Sequence, residues 1–172
     1  MSNLTLKYLD HLPQPDKELC YAHLGRGDAK HGSSTDASAK YQRYSFNEQL
    51  NQWFLDNIVH EYVFVGSGVS IVDGGPYHRV HTDITRVYTL NYLFETGGTD
   101  VITSFYQEKD QSVIREPGLY IDDTTDLELI ESFKLETGRW HVLNTRILHG
   151  VTGLVGPRIG IQIGLRDISH IR

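Results

Sequence analysis

Two histidines and one aspartate have the residue types and the spacing that could hold a catalytic metal ion. His81 and Asp83 are two positions apart, and His149 follows near the other end of the chain. Two imidazoles and one carboxylate are the ligand set of a facial triad, which binds non-haem Fe(II) and leaves coordination positions open. Arg158 lies nine positions after His149 and carries a planar fork that suits a carboxylate. Together these residues indicate an iron enzyme that binds a dicarboxylic cosubstrate and activates dioxygen.

Other histidines compete for the same role. His78 precedes His81 by three positions and His141 precedes His149 by eight, so either could be a ligand in a different scheme. The tripeptide from His81 to Asp83, taken alone, fits a surface pair beside a turn better than a metal site. The remaining histidines are interpreted as surface or ordinary packing residues: His11, His23, His31, His60 and His170.

The segment from Arg158 to Leu165 alternates cleanly and predicts a β-strand. One face of this strand carries isoleucines and packs a core. The other face carries Arg158, Gln162 and two glycines, which is an unusual interior face unless something else fills the space. A bound carboxylate ligand would fill it and neutralise Arg158, although a solvated arginine on a polar face remains the alternative.

The order of predicted elements indicates a mainly β fold of the α+β type. A capping box at Ser45 begins a helix with Phe46, Leu50, Trp53, Phe54 and Ile58 on one stripe. Short strands with glycine turns follow, which predicts a double-stranded β-helix, the cupin-like jelly roll, supported by N-terminal helices. The predicted strands are 4–12, 62–65, 69–72, 84–94, 101–106, 128–135, 141–148 and 158–165.

The length of 172 residues predicts one domain, 1–172. Residues 1–60 are expected to form a helical support region and 61–172 the jelly-roll core. Residues 25–40 are predicted to be a mobile loop, and the Arg26-Gly27-Asp28 tripeptide within it is interpreted as coincidental. Residues 107–137 are predicted to be a long loop or hairpin insertion, either a lid at the barrel mouth or a solvent-exposed hairpin.

The net charge of −6 argues against a broad nucleic-acid-binding face, although it leaves room for a local basic funnel. A single cysteine fits a reducing compartment. The first ten residues lack the pattern of a signal peptide, and no apolar run is long enough for a membrane helix. These properties lead us to expect a cytoplasmic protein, with no membrane partner and with nucleic acid an improbable one.

The segment from about 76 to 165 resembles the Fe(II)/2-oxoglutarate-dependent oxygenase superfamily in its prolyl-hydroxylase-like branch. The resemblance is carried by the His81-Thr82-Asp83 motif, a strand that ends in Tyr92-Leu93, a double glycine at 97–98, His149, and Arg158 nine positions later. The chain departs from the branch at several points. Ile71 stands where a tyrosine is frequent, Thr99 follows the double glycine, and the stretch from Gly98 to Gly138 is long for the branch.

The resemblance implies His81, Asp83 and His149 as iron ligands and Arg158 as the partner of the distal carboxylate of 2-oxoglutarate. It also implies that Tyr92 donates a hydrogen bond to that carboxylate. The implied activity uses Fe(II), 2-oxoglutarate and O2 to hydroxylate an unactivated C–H bond, or to demethylate through hydroxylation, with release of succinate and CO2. The expected substrate is a small molecule, an amino acid or a peptidyl side chain.

Two other functions remain open from the sequence alone. The same ligands on the same fold could serve a cupin-type isomerase or hydrolase that does not use 2-oxoglutarate, in which case Arg158 would bind the substrate. The fold could also serve as a non-catalytic binding module, although the presence of all three ligands and of Arg158 counts against this.

Overall fold

The computed structural model describes residues 5–24, 30–31 and 38–172. Most of the predicted loop at 25–40 lies outside these residues, as does the Arg26-Gly27-Asp28 tripeptide. Two antiparallel sheets, one of seven strands and one of four, make up most of the fold. The predicted mainly β, jelly-roll class is therefore confirmed.

The larger sheet has the strand order β1-β9-β6-β11-β4-β3-β2, and the smaller sheet has the order β5-β10-β7-β8. The strands are β1 Leu6–Tyr8, β2 Lys30–His31, β3 Lys40–Tyr44, β4 Val63–Asp73, β5 Tyr77–His81, β6 Tyr88–Thr96, β7 Ile102–Glu108, β8 Leu127–Phe133, β9 Trp140–Asn144, β10 Leu148–Thr152 and β11 Arg158–Leu165. The helices are α1 Lys17–Tyr21, α2 Glu48–Asn57 and a 3-10 turn at Ile168–His170.

The main hydrophobic core lies between α2 and the outer face of the larger sheet. From the helix, the predicted stripe supplies Phe46, Leu50, Phe54 and Ile58, all of which are buried. Helix α2 begins two residues later than the capping box predicts, because the side chain of Asn47, and not Ser45, accepts the hydrogen bond from Leu50 N. From the sheet, the predicted isoleucine face of β11 packs against this helix together with residues of β4, β6 and β9.

The inner face of the larger sheet is more polar than its outer face. In β6, Leu90 and Tyr92 belong to the core, whereas Thr89 and Asn91 line a cavity between the two sheets. Successive strand residues point to opposite faces, so this division follows directly from the sequence alternation. The fold therefore covers one face of the sheet with a helix and leaves the other for a site.

Several predicted boundaries were wrong. The two short strands at 62–65 and 69–72 form the single strand β4, because Gly66 takes a positive φ of 106° and the strand continues through an irregularity in its pairing with β11. The predicted strand at 141–148 is two strands, β9 and β10, because the chain turns at 145–147 and passes from the larger sheet to the smaller one. The strand predicted from Ile84 begins only at Tyr88.

The N-terminal region contributes more than helices. Strand β1 pairs with β9 at one edge of the larger sheet, and β3 pairs with β4 near the opposite edge. In the predicted insertion at 107–137, β8 pairs with β7 and extends the smaller sheet, so part of the segment is a hairpin. Within the described part of the chain, no helix has the length and apolar character needed to cross a membrane.

Candidate metal centre and cavity

A cavity of about 330 Å³ lies between the two sheets. Its walls combine residues of β3, β6 and β11 from the larger sheet with residues of β5, β7 and β10 from the smaller sheet. Residues 82–86 and the segment around Tyr120 complete it. The volume is near the lower end of the range of small-ligand sites, which suits a small molecule or a single side chain.

His81, Asp83 and His149 come together in this cavity. Each offers one ligand atom, and the three atoms lie within 4.8 Å of one another. His81 is the last residue of β5 and lies directly opposite His149 of β10 in the antiparallel register. Asp83 lies just beyond the strand, where its backbone N–H donates to the carbonyl of Thr145 at 2.9 Å. The three residues that the sequence singled out thus form one potential metal site.

Hydrogen bonds to backbone carbonyls fix the tautomers of both histidines. Nδ1 of His81 lies 2.9 Å from the carbonyl oxygen of Arg79, and Nδ1 of His149 lies 2.9 Å from that of Ile147. A carbonyl only accepts, so each Nδ1 carries the proton and donates it. The Nε2 lone pairs are then left for a metal, which is the second-shell arrangement typical of metal-bound histidine.

The charges of the group also suit a cation. Burial, and then the proximity of His149 and His78, lowers the pKa of His81 to about 3, and burial lowers the pKa of His149 as well. Both rings are therefore neutral at pH 7. Burial acts to raise the pKa of Asp83, but Arg86 and His149 oppose it, and the net pKa is well below its usual range. Two neutral imidazoles and one ionised carboxylate fit a divalent first-row metal such as Fe(II).

Arg158 lines the same cavity. Its Nη1 donates to Oγ1 of Thr103, a buried residue of β7, at 3.3 Å. No carboxylate among the described residues forms an ion pair with Arg158, and burial lowers the pKa of its guanidinium to about 10. Arg158 is partly buried, and a cation withdrawn from water without an anionic partner is costly. An anionic ligand in the cavity would supply that partner.

The two glycines of β11 do not leave space for a ligand, contrary to the interpretation of the sequence. A Cβ on Gly160 would lie 2.6 Å from the carbonyl oxygen of Tyr92, and a Cβ on Gly164 would lie 3.2 Å from Cδ of Arg86. Neighbouring protein atoms, and not a ligand, therefore occupy these positions. The cavity is formed by the polar side chains of β11 and its neighbours.

The structure does not place Tyr92 in the cavity that holds the other predicted site residues. Tyr92 is buried in the main core, where its ring lies 5.1 Å from that of Trp140. It points away from the cavity because it alternates with Asn91, which lines the cavity. Tyr92 therefore lies on the face of β6 opposite to the face that lines the cavity.

The two competing histidines occupy different places. His78 lines the cavity, with its ring 4.9 Å from that of His81, but it is not part of the three-residue group. His141 is fully buried between the sheets, and neither of its ring nitrogens has a hydrogen-bond partner among the described residues. Neither histidine joins the candidate ligand set.

Sequence reasoning missed Tyr41, a cavity residue of β3. The hydroxyl of Tyr41 donates to Oε1 of Gln162 at 2.5 Å, and its ring stacks on that of His78 at 5.9 Å. The region before residue 60 was predicted to be helical support, so no signal pointed to a site residue there. Tyr41 and Arg43 are two positions apart, as residues on one face of a strand are, and this spacing was the available indication that they could line a site together.

Tyr120 lies beside the metal-ligand group, on the segment that was predicted to be either a lid or a solvent-exposed hairpin. Its ring lies 5.0 Å from the ring of His81. The segment is attached to β5 by the hydrogen bond from Ile121 N to the carbonyl of Val80 at 2.8 Å and by the ion pair between Arg79 and Asp122 at 3.1 Å. Part of the 107–137 segment therefore lies over the site.

Comparison with known proteins adds little to this description. No family model and no curated protein matches the chain. Among solved structures, the non-haem α-ketoglutarate-dependent epimerase SnoN from nogalamycin biosynthesis is similar, with 10% identity, a TM-score of 0.49, and coverage of 92% of this chain and 77% of that one. Escherichia coli ycfD is similar at 11% identity and a TM-score of 0.48, over 96% of this chain and 51% of that one. At these values the likeness carries no information about activity.

Proposed function

We propose that this protein is an Fe(II)- and 2-oxoglutarate-dependent dioxygenase that hydroxylates an unactivated C–H bond. One observation carries the proposal: the group His81, Asp83 and His149 shares a single cavity with Arg158, a cation that has no carboxylate partner among the described residues. A metal site and an anion site that face one cavity are what a metal-chelating dicarboxylate requires.

Each of the cavity residues would have a distinct role in binding. His81, Asp83 and His149 hold Fe(II), and Arg158, oriented by Thr103, holds the distal carboxylate of 2-oxoglutarate. When bound, the iron supplies the oxidative decarboxylation of 2-oxoglutarate to succinate and CO2 and the oxidation of the substrate C–H bond by O2. The protein binds, orients and shields these groups.

The carboxylate of Asp83 favours hydroxylation, or demethylation through hydroxylation, because it occupies a ligand position that a halide would otherwise need. The ring of Tyr120 limits access of water to His81. The cavity volume favours a small molecule, an amino acid or a peptidyl side chain as substrate. A reducing, cytoplasmic setting would suit both Fe(II) and the buried free thiol of Cys20.

An anaerobic titration of the metal-free protein with Fe(II) and then 2-oxoglutarate tests the proposal. The expected result is a weak visible charge-transfer band from the chelate. The band should be absent in His81→Ala, and Arg158→Gln should weaken 2-oxoglutarate binding by about tenfold or more. Arg166→Gln is the matched control, since Arg166 is exposed, follows β11 and does not line the cavity.

The alternatives predict different outcomes of the same titration. Bound iron without a band would indicate a cupin-type metalloenzyme that does not use 2-oxoglutarate. No metal binding would indicate a non-catalytic module. Equal 2-oxoglutarate affinity in Arg158→Gln and Arg166→Gln would contradict the role given to Arg158.

A further inference from the structure

A second arginine that has no anionic partner among the described residues lines the same cavity. Arg43 lies two residues after Tyr41 on β3, and both residues line the cavity. Its guanidinium carbon lies 6.0 Å from the centre of the Tyr41 ring. Within residues 5–24, 30–31 and 38–172, no carboxylate forms an ion pair with Arg43, and its buried Nε has no hydrogen-bond partner. The charge of Arg43 is therefore not compensated by the described protein groups.

Gly68 of β4 leaves room for the Arg43 side chain. A Cβ on Gly68 would lie 2.8 Å from Cγ of Arg43 and 2.4 Å from the carbonyl oxygen of Tyr44, so a side chain there would crowd the arginine and its strand. A Cβ on the nearby Gly66 would lie 3.8 Å from Nη1 of Arg43, which is ordinary contact. The glycine pair that was mistaken for a turn is thus part of the wall beside this cation.

Arg43 and Arg158 occupy separate positions. Arg43 pairs with Ser70 of β4, and Ser70 pairs with Gly160 of β11, two residues from Arg158. The two Cα atoms are therefore offset by about 7 Å along the strands and about 10 Å across them, from ordinary strand spacings. This separation favours two anion positions over one shared position.

The third arginine of the cavity is already neutralised. Nε of Arg86 donates to Oδ2 of Asp83 at 2.5 Å. Among the described cavity residues, Arg43 and Arg158 are thus the arginines without a carboxylate partner. Since 2-oxoglutarate would use Arg158, Arg43 is left for a different anion.

Two apolar residues of the cavity wall are largely exposed to solvent. These are Val65 and Ile84, of whose surfaces 55% and 65% remain exposed. Both lie close to Arg43 through Gly66. A Cβ built on Gly66 would lie within 4 Å of Nη1 of Arg43 and of Oγ1 of Thr85. Val65 precedes Gly66 in the chain, and Ile84 precedes Thr85. An apolar rim beside an unpaired cation matches a ligand with an anionic group and a hydrocarbon body.

The geometry points to an anion subsite at Arg43, which makes the substrate a small amphiphilic acid. Its carboxylate or similar anionic group binds Arg43, and its apolar body contacts Val65 and Ile84. This assignment of substrate class rests on the proposed function, because it takes Arg158 as the 2-oxoglutarate site. The planar fork of arginine suits a carboxylate in particular.

Isothermal titration calorimetry with octanoate and its neutral counterpart octanamide tests the subsite. The full chain without added metal is titrated first, as wild type, Arg43→Gln, Arg43→Lys and Arg158→Gln. Octanoate should bind the wild type about tenfold more tightly than octanamide, and Arg43→Gln should remove this preference. Arg158→Gln should keep it, and Arg43→Lys should keep part of it. Unchanged thermal unfolding midpoints confirm that the variants fold.

Several outcomes would overturn the subsite: equal binding of octanoate and octanamide to the wild type, no octanoate binding at all, or a preference lost in Arg158→Gln but kept in Arg43→Gln. The comparison of octanoate with octanamide on the wild type needs no variant, so it tests for an anion subsite even if Arg43→Gln does not fold. A second titration with Fe(II) and 2-oxoglutarate present, under anaerobic conditions, separates the two proposals. If the chain does not bind 2-oxoglutarate, the proposed function fails there while the first titration still reports on Arg43.

Discussion

Nε of Arg86 donates a 2.5 Å hydrogen bond to Oδ2 of Asp83, while Oδ1 of the same carboxylate lies 3.7 Å from Nε2 of His81. One oxygen of Asp83 is therefore held by a buried cation and the other faces the histidines. This division sets both the orientation of the carboxylate and its ionised state. It makes Arg86 a positioning residue for the metal group.

Arg86→Gln should weaken metal binding by about 10- to 100-fold, as the loss of a second-shell partner commonly does. It should also lower the free energy of unfolding of the metal-free chain by about 3 kcal/mol, because a buried carboxylate loses its counter-ion. Co(II) titration and urea unfolding measure the two effects. Arg166→Gln is the control on a free surface, and metal affinity equal to that of wild type in Arg86→Gln would contradict the positioning role.

The buried His141 should make stability depend on pH. Burial, and then the charge of Arg158, lowers the pKa of His141 to about 3, whereas an unfolded histidine titrates near 6.5. Below pH 6.5 the unfolded chain therefore binds a proton that the folded chain does not. Stability is fully present above pH 6.5 and is lost as the pH falls towards 3, by about 2 kcal/mol at pH 5 from this residue alone.

His141→Leu removes this proton and should reduce the loss of stability between pH 7.5 and pH 5 by about 2 kcal/mol. Urea unfolding of the metal-free chain at the two pH values measures it. His78, His81 and His149 also have lowered pKa values, so the variant still loses stability, only less steeply. The exposed His60 provides the control variant His60→Gln. If the free energy of unfolding of wild type and of His141→Leu changed equally with pH, His141 would be protonated to the same extent in the folded and unfolded chains.

Tyr120 should slow the exchange of a bound metal with solvent. Its ring lies 5.0 Å from that of His81, and its segment is attached to β5. Tyr120→Ala should increase the rate of metal loss to a chelator by roughly tenfold, because it removes the apolar cover of the site. Tyr120→Phe keeps the ring and should behave as the wild type. Equal rates in Tyr120→Ala and Tyr120→Phe would mean that the segment does not cover the site in solution.

Tyr92→Phe should leave the affinity for 2-oxoglutarate within about twofold of wild type, because Tyr92 lies in the core and not in the cavity. Thr103→Val should weaken this affinity by about fivefold, because the hydroxyl that accepts from Arg158 is lost while the side-chain shape is kept. The charge-transfer titration measures both. A large loss in Tyr92→Phe alone would restore the role that the sequence resemblance gave to Tyr92.

The sequence predicted the fold class and the candidate metal ligands because both have strong local signals. The alternation from Arg158 to Leu165 predicts a strand with one apolar face, and the stripe from Phe46 to Ile58 predicts the helix that covers it. The His-x-Asp spacing predicts that two side chains lie close together. These features depend on nearest neighbours in sequence, so they need no knowledge of the tertiary fold.

The failures concern long-range placement. Whether a strand residue faces a helix or a cavity depends on the sheet that packs on the other side, so the sequence did not predict that Tyr92 faces the core. Arg43 and Tyr41 enter the cavity only because β3 pairs with β4, a contact without any signal in residues 1–60. Gly66 suggested a turn because a glycine with positive φ is common in turns, yet here it continues a strand.

The direct opposition of His81 and His149 across β5 and β10 has a consequence beyond chemistry. An ion bound to both would join two neighbouring strands of the smaller sheet, and the chain between them includes β6, β7, β8 and β9. Such a tether closes a long loop without a covalent bond, so metal supply and the folded population of the chain become linked. Cells short of the metal would then hold a protein whose β5 and β10 amides exchange with solvent sooner than those of the larger sheet, and its lifetime, as well as its activity, would depend on the metal.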